Sequence, residues 1–242
     1  MSDRFYTPLP ITAERVTLDG PEGHHLLHVM RAAVGEIVTL FDNSGAEFTA
    51  VIEKLARATV HVRILERVEI NRELPFLLAV GVALPKGDRQ KWLVEKLTEL
   101  GVTTLVPLST TRGVAQPSDS ALERLERAVI KAAKQCGRNR LMQIAKPQAW
   151  NEWISQFSTS IAGDPGSPEP RRLVAHPNGT PLAELNLTTP GPTQLTIGPE
   201  GGLTDAEVAA AIAAGWQPID LGPRILRVET AAVALTAAIA LR

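Results

Sequence analysis

Two glycine-rich stretches hold the residues whose types and spacing best suit chemistry. The first runs Leu195-Thr-Ile-Gly-Pro-Glu-Gly-Gly-Leu-Thr-Asp-Ala-Glu207, an apolar strand opening into Gly198-Pro199-Glu200-Gly201-Gly202. Thr204 with Glu207 three residues later is a capping-box pattern that opens a helix. The second, Leu221-Gly-Pro-Arg-Ile-Leu-Arg-Val-Glu-Thr-Ala231, repeats the grammar of strand, Gly-Pro turn and helix. Glycines at a strand's carboxyl end let backbone amides and carbonyls meet a ligand directly. In open α/β sheets the ligand crevice lies at that edge. One Gly-Pro turn is usually only a turn; two in successive units, each carrying charged residues, point to a binding site.

A third feature is a helix with two unlike faces. Projected at about 100° per residue, Leu122, Leu125, Val129, Ala132, Ala133 and Cys136 fall on one side. Arg124, Arg127, Lys131, Lys134 and Arg138 fall on the other, within an arc of roughly 80°. Such a stripe can follow a phosphate backbone, and it can equally be a solvated face. The charge along the chain sharpens the choice. Residues 1–75 carry eight basic and eleven acidic side chains, whereas Lys86–Arg140 carries eleven basic and six acidic. The remainder holds six basic and nine acidic, so the formal charge of −1 conceals one basic segment. Such a segment points to a local anionic partner such as RNA rather than to general stickiness, with a solvated basic face as the equally open, plainer reading.

Several chemistries are excluded. There is no Gly-x-Gly-x-x-Gly after a strand, no Gly-x-x-x-x-Gly-Lys-Ser/Thr loop, no His-Glu-x-x-His and no Gly-x-Ser-x-Gly. His24, His25 and His28 share helical spacing without Asp or Cys partners and read as structural, so no metal site is expected. The single cysteine, Cys136, cannot form an internal disulfide and reads as core. No stretch approaches the roughly 18 apolar residues of a membrane span, and the first residues lack a basic-then-apolar leader. A cytoplasmic protein without a membrane partner is expected.

The elements that must position these residues change character near residue 72. The chain has 242 residues, 44% hydrophobic and 21% charged, enough for one large domain or two modest ones. Before residue 72, Glu36–Phe41, Glu47–Ile52 and Thr59–Leu65 alternate as strands, with a short helix over His24–Arg31. A small β-barrel over residues 1–72 is predicted. After it, strands over Phe76–Leu84, Thr104–Leu108, Leu173–Ala175, Gln194–Ile197 and Ile219–Leu221 alternate with helices. Those helices cover Asp88–Leu100, Ser118–Cys136, Thr204–Ala214 and Glu229–Leu241. That order predicts an α/β domain over residues 73–242, with a parallel sheet covered on both faces. Gly163–Pro170, rich in Pro and Gly, reads as a loop.

Taken together, these residues resemble a known family. Gly198–Gly202 followed by Leu221–Ala231 is similar to the signature of the SPOUT methyltransferases, and more narrowly of the 16S ribosomal RNA uridine-N3 methyltransferases. His24–Arg31, Lys86-Gly87, Glu95–Gly101, Pro107 with Arg112, and Ala133–Arg138 match in the family's order. The resemblance implies an N-terminal PUA-like barrel that contacts RNA, a C-terminal SPOUT domain with a trefoil knot, and a homodimer. It also implies S-adenosylmethionine as cofactor, held by Val174, Ala175, His176 and Pro177, by Ile197, Gly198, Pro199, Gly201 and Gly202, and by Leu221–Arg227 with Thr230. Backbone groups of Leu221, Gly222, Ile225 and Leu226 would recognise adenine. Methyl transfer to uracil N3 within the small ribosomal subunit needs an unpaired base and removal of the N3 proton. Arg227 would then steady charge on a uracil oxygen, and Glu200 or Glu229 would accept the proton. The plainer roles are a helix-dipole carboxylate for Glu229 and a solvated turn for Glu200. Arg112 and Arg138 would contact phosphate or the target base, with Arg31, Lys86, Arg89 and the Arg124–Lys134 stripe extending the RNA surface. Two alternatives remain open, a SPOUT ribose 2′-O-methyltransferase and a non-catalytic RNA-binding or ribosome-assembly protein.

Overall fold

Alternation of buried and partly exposed residues, clearest over residues 46–53, marks the first sheet. The computed structural model describes residues 4–113, 116–155, 169–187 and 189–241. Most of the Gly163–Pro170 loop lies outside the described residues. The chain divides into two units: residues up to Glu73 with Ala133–Leu141, and Leu74–Ala132 with residues from Met142 onward.

In the first unit, β1 (Arg4–Tyr6), β2 (Arg15–Leu18), β3 (Ile37–Phe41), β4 (Ala46–Leu55) and β5 (Val60–Glu69) form one sheet in the order β1-β3-β4-β5-β2. Every pairing is antiparallel except that of β1 with β3. Along β4, Ala46, Phe48, Ala50 and Ile52 point inward and pack with Phe5, Leu26, Val38, Leu40 and Val62. Two irregularities between β4 and β5, at Thr49/Ala50 and Ile52/Lys54, bend the ribbon into a curled half-barrel. The short helix expected near His24 is helix α1 (Gly20–His24) continued by a π-helical turn over His25–Met30. It stops at Arg31, which takes a left-handed conformation with φ 55°. His25 lies edge-on to Phe5 and His24 stacks near His28, with no metal-binding cluster among the described residues.

The second unit is a parallel α/β domain. Its strands are β6 (Leu78–Val82), β7 (Thr104–Ser109), β8 (Gln143–Ile144), β9 (Gln148–Ala149), β10 (Arg171–Pro181), β11 (Thr193–Ile197) and β12 (Gln217–Asp220). The main order is β12-β10-β11-β6-β7-β8, with β9 pairing the far end of β7, and all pairings are parallel. Central strands β6 and β11 are buried throughout; β6 is an unbroken apolar run, as covering on both faces favours, whereas β11 also buries Thr193, Gln194 and Thr196. Pro218 is accommodated because β12 lies at the sheet's edge. The helices are α2 (Arg89–Glu99), α3 (Asp119–Cys136), α4 (Trp150–Ser155), α5 (Asp205–Ala213) and α6 (Val228–Ala240). From the edge strand β12 the chain turns back, and α6 packs on α2, β11 and β6. Helix α4 was not foreseen; Trp153 donates to Thr196 Oγ1 at 2.7 Å and packs beside Trp216.

On α3 the packed face is Ala121, Leu125, Ala128, Val129, Ala132 and Ala133, with Leu122 and Cys136 only half-buried. The five-cation stripe is corrected to three. Arg124, Arg127 and Lys131 are exposed. Lys134 is half-buried, paired with Glu22 at 2.7 Å and seated over the Phe5 ring. Arg138 is 3% exposed, its Nε and Nη2 donating to Glu73 Oε1 at 3.1 Å and Oε2 at 2.5 Å. A helical projection fixes the angle of a side chain about the axis, not what waits there, and here two carboxylates do.

Arg138 therefore holds the first unit together rather than facing RNA. Arg138→Ala is expected to lower stability by about 3 kcal/mol, the lower end for breaking a buried pair because Glu73 keeps some solvent. Urea unfolding monitored by far-ultraviolet circular dichroism measures it, and an unchanged midpoint would refute the assignment.

Candidate functional site

Three loops leave the carboxyl edge of the sheet from neighbouring strands β12, β10 and β11. The first belongs to β10. Ala175 and Thr180 both sit opposite Ile219 of β12, so the four residues His176–Gly179 are extruded as a bulge. The expected strand end at Ala175 is thus a break, and the strand resumes to Pro181. Asn178 has φ 66°, a conformation Asn tolerates better than most residues. Gly179 passes so close to β12 that a Cβ would lie 2.5 Å from the Pro218 carbonyl carbon. The Asn178-Gly179 pair is a turn signal that could have located this bulge.

The second loop follows β11. Ile197 is buried and its carbonyl accepts from Ala83 N at 3.1 Å, tying the strand end to the loop after β6. Gly202 N donates to the Pro199 carbonyl at 2.8 Å, which closes the Pro199–Gly202 turn. Arg112 lies across it, with Nη1 donating to the Gly201 carbonyl at 3.1 Å. The anticipated capping box is complete: Thr204 Oγ1 accepts from Glu207 N, and Glu207 Oε2 accepts from Thr204 N at 2.8 Å.

The third loop follows β12. Asp220 Oδ1 accepts from Gly222 N at 2.9 Å, and Gly222 takes φ 105°. Ile225 is fully exposed, Leu226 half-buried, and exposed Arg227 is the extended residue preceding α6. Thr230 in the first turn of α6 is also exposed, whereas Val174 inside β10 is buried.

The three charged candidates separate. Arg89 Nη1 donates to Glu200 Oε1 at 2.5 Å and lies 3.6 Å from Glu229 Oε1. Arg89 is thereby engaged by two carboxylates, the Glu200 hydrogen bond above all raising the pKa of its guanidinium. Glu200 is exposed and committed to that bond. Glu229 is 7% exposed, and its Oε2 is buried without a hydrogen-bond partner among the described residues. Arg227 is not brought into this cluster by any contact of its side chain that the structure shows. Lys86 and Arg31 are exposed.

Residues 72–240 match the family model described as an RNA methyltransferase domain, and residues 18–65 the RNA methyltransferase PUA domain. The chain is 37% identical over 230 residues to the ribosomal RNA small subunit methyltransferase E of Synechocystis, covering 93% of this chain and 72% of that one. With its Bacillus subtilis counterpart it shares 30% over 228 residues, 90% of this chain and 87% of that one. The crystal structure of a Neisseria gonorrhoeae ribosomal RNA small subunit methyltransferase E bound to S-adenosyl methionine superposes with a TM-score of 0.85. It is 29% identical and covers 99% of this chain and 97% of that one. No helix among the described residues is long and apolar enough to cross a membrane. A glycine-lined sheet edge and a curled N-terminal sheet thus meet these matches along nearly the whole sequence, and the chain belongs to the ribosomal RNA small subunit methyltransferase E family.

Proposed function

We propose that this protein methylates N3 of a uridine in 16S ribosomal RNA, using S-adenosylmethionine and acting as a homodimer with a knotted carboxyl-terminal segment. The convergence of the three loops on one sheet edge carries the reading. They fit the cofactor: Cβ positions built at Gly202 and Gly222 meet nothing within 4 Å, so backbone is laid bare beside open space. Ala175, His176 and Pro177, backed by buried Val174, line one side; Gly198, Pro199, Gly201 and Gly202, backed by buried Ile197, line a second. Leu221, Gly222, Ile225, Leu226, Arg227 and Thr230 complete the pocket. Bound there, the cofactor supplies a methyl group already made electrophilic by its sulfonium.

The protein's own work is alignment and proton transfer. Uracil N3 bears a proton, and the base must leave any duplex to present that edge. Glu229 accepts the N3 proton, because its buried Oε2 has lone pairs no other group uses. Arg89, rather than contacting RNA, bridges Glu229 to Glu200 and holds that carboxylate in place. Exposed Arg227 neutralises charge developing on a uracil oxygen. Arg31 in the first unit and Lys86, Arg112, Arg124, Arg127 and Lys131 in the second remain as RNA contacts, each unit taken by itself, and Arg112, with five N–H donors, gives one to Gly201. The exposed Ile225 and half-exposed Trp92 are apolar surface that a second copy would cover.

Incubation with isotopically labelled S-adenosylmethionine and small ribosomal subunits lacking the modification, followed by nucleoside mass spectrometry, tests the reading. Labelled 3-methyluridine is expected. A labelled ribose 2′-O-methyl nucleoside, or no label despite cofactor binding, would overturn it.

A further inference from the structure

The capping-box glutamate has a second attachment that helix capping does not require. Glu207 is buried, and while Oε2 serves Thr204, its Oε1 accepts from the backbone N–H of Thr111 at 2.8 Å. Thr111 stands in the loop after β7, two strands away from β11 across β6. One carboxylate thus stitches the loop after β7 to the loop after β11. Immediately next in sequence is Arg112, whose guanidinium reaches the Gly201 carbonyl. The two loops touch along this line: a Cβ built on Gly201 would stand 3.3 Å from Arg112 Cβ and 3.6 Å from its Cδ. Trp150 Nε1 donates to the Glu207 carbonyl at 3.2 Å, which fixes the glutamate's backbone against α4. Burial pushes the Glu207 carboxyl pKa up, but the Thr204 and Thr111 hydrogen bonds outweigh it and leave it below the usual range.

We infer that Glu207 is a positioning residue for RNA: by holding the Thr111 amide it fixes the loop that aims Arg112 across the Gly198–Gly202 turn. Arg112 has four rotatable side-chain bonds and one anchor on Gly201, so its direction depends on where the backbone of its loop is pinned. Pinning it to the same carboxylate that caps α5 couples the RNA-facing arginine to the cofactor-facing turn. The inference rests on the RNA contact proposed for Arg112.

The test compares Glu207→Asp, Glu207→Gln, Arg112→Ala, Thr204→Ala and the Glu207→Gln/Arg112→Ala double variant. Each full-length protein is assayed for KM toward modification-deficient small subunits, KM toward S-adenosylmethionine, kcat and melting temperature. Aspartate keeps a carboxylate in the first helical turn but is one methylene too short to serve Thr204 and Thr111 together. It keeps the test decisive should Glu207→Gln fail to fold.

Arg112→Ala is expected to raise the RNA KM by roughly tenfold, as loss of a phosphate contact does. Both Glu207 variants should raise it comparably with cofactor KM changed less than about twofold, and the double variant should be no worse than Arg112→Ala alone. Thr204→Ala, which spares the Thr111 bond, should leave RNA KM near wild type. Additive effects in the double variant, or Glu207 variants that alter only stability or cofactor KM, would sink the inference while leaving Arg112 as an RNA contact. An unchanged RNA KM in Arg112→Ala would remove that contact and this inference with it.

Discussion

Glu229→Gln is expected to lower kcat by about 10²–10⁴-fold, the usual contribution of a positioned acid–base group, with little change in S-adenosylmethionine affinity. The argument is one of proton balance. When uracil N3 gains a methyl group it must lose its proton, and a glutamine side chain of nearly the same shape has no basic oxygen to take it. Glu229 is the candidate because it opens α6 directly behind the Leu221–Arg227 loop, is buried, and leaves Oε2 unpaired. A buried carboxylate oxygen without a partner is costly and calls for a reason. Glu200 lacks these features, since it is exposed and already bound by Arg89. A helix-dipole role would predict something else: a loss of stability, with turnover per folded molecule retained. Single-turnover rates at saturating RNA, measured across pH, separate the two. The rate per folded molecule should fall in the variant with the melting temperature little changed, and a wild-type rate would end the assignment.

What the sequence made legible, and what it hid, divides along physical lines. Strand β6 is readable because burial on both faces favours an unbroken apolar run. The Thr204–Glu207 cap was readable because its partners lie three residues apart. Contacts between distant segments were not. Nothing near Arg138 in sequence announces Glu73, and nothing near Lys134 announces Glu22, so both cations were placed on an RNA-facing stripe. Thr111 was invisible from Glu207 for the same reason. Strands β1 and β2 are three and four residues long, too short for alternation to register. Glycine placement marks the loop-bearing edge of the sheet, whereas the bulge in β10 is hidden, because a strand that breaks and resumes looks in sequence like one that stops.

That bulge supplies the second large effect. Gly179→Ala is expected to weaken S-adenosylmethionine binding by roughly a hundredfold and to lower the melting temperature by several degrees. The added Cβ would stand 2.5 Å from Pro218 C and 2.6 Å from both Ile219 N and the Pro218 carbonyl oxygen. All three are backbone atoms of β12, which cannot rotate aside as a side chain would. Either β12 retreats from β10 or the bulge is pushed outward. The first moves Asp220 and with it the Gly222 turn that Asp220 holds; the second moves His176 and Pro177. Both routes deform a proposed cofactor loop. Overpacking of this kind costs about 1–3 kcal/mol or more, and about 2.7 kcal/mol placed wholly on the bound loop corresponds to a hundredfold in Kd. In a chain of this size each kcal/mol shifts Tm by about 2–4 °C. Asn178→Gly is the matched control, since glycine accepts φ 66° without strain and adds no atom; its affinity should stay within about twofold of wild type. Isothermal titration with S-adenosylmethionine on both variants decides the matter. A Gly179→Ala protein that binds like wild type would show that the β10 bulge does not shape the cofactor site, and that the pocket rests on the loops after β11 and β12 alone.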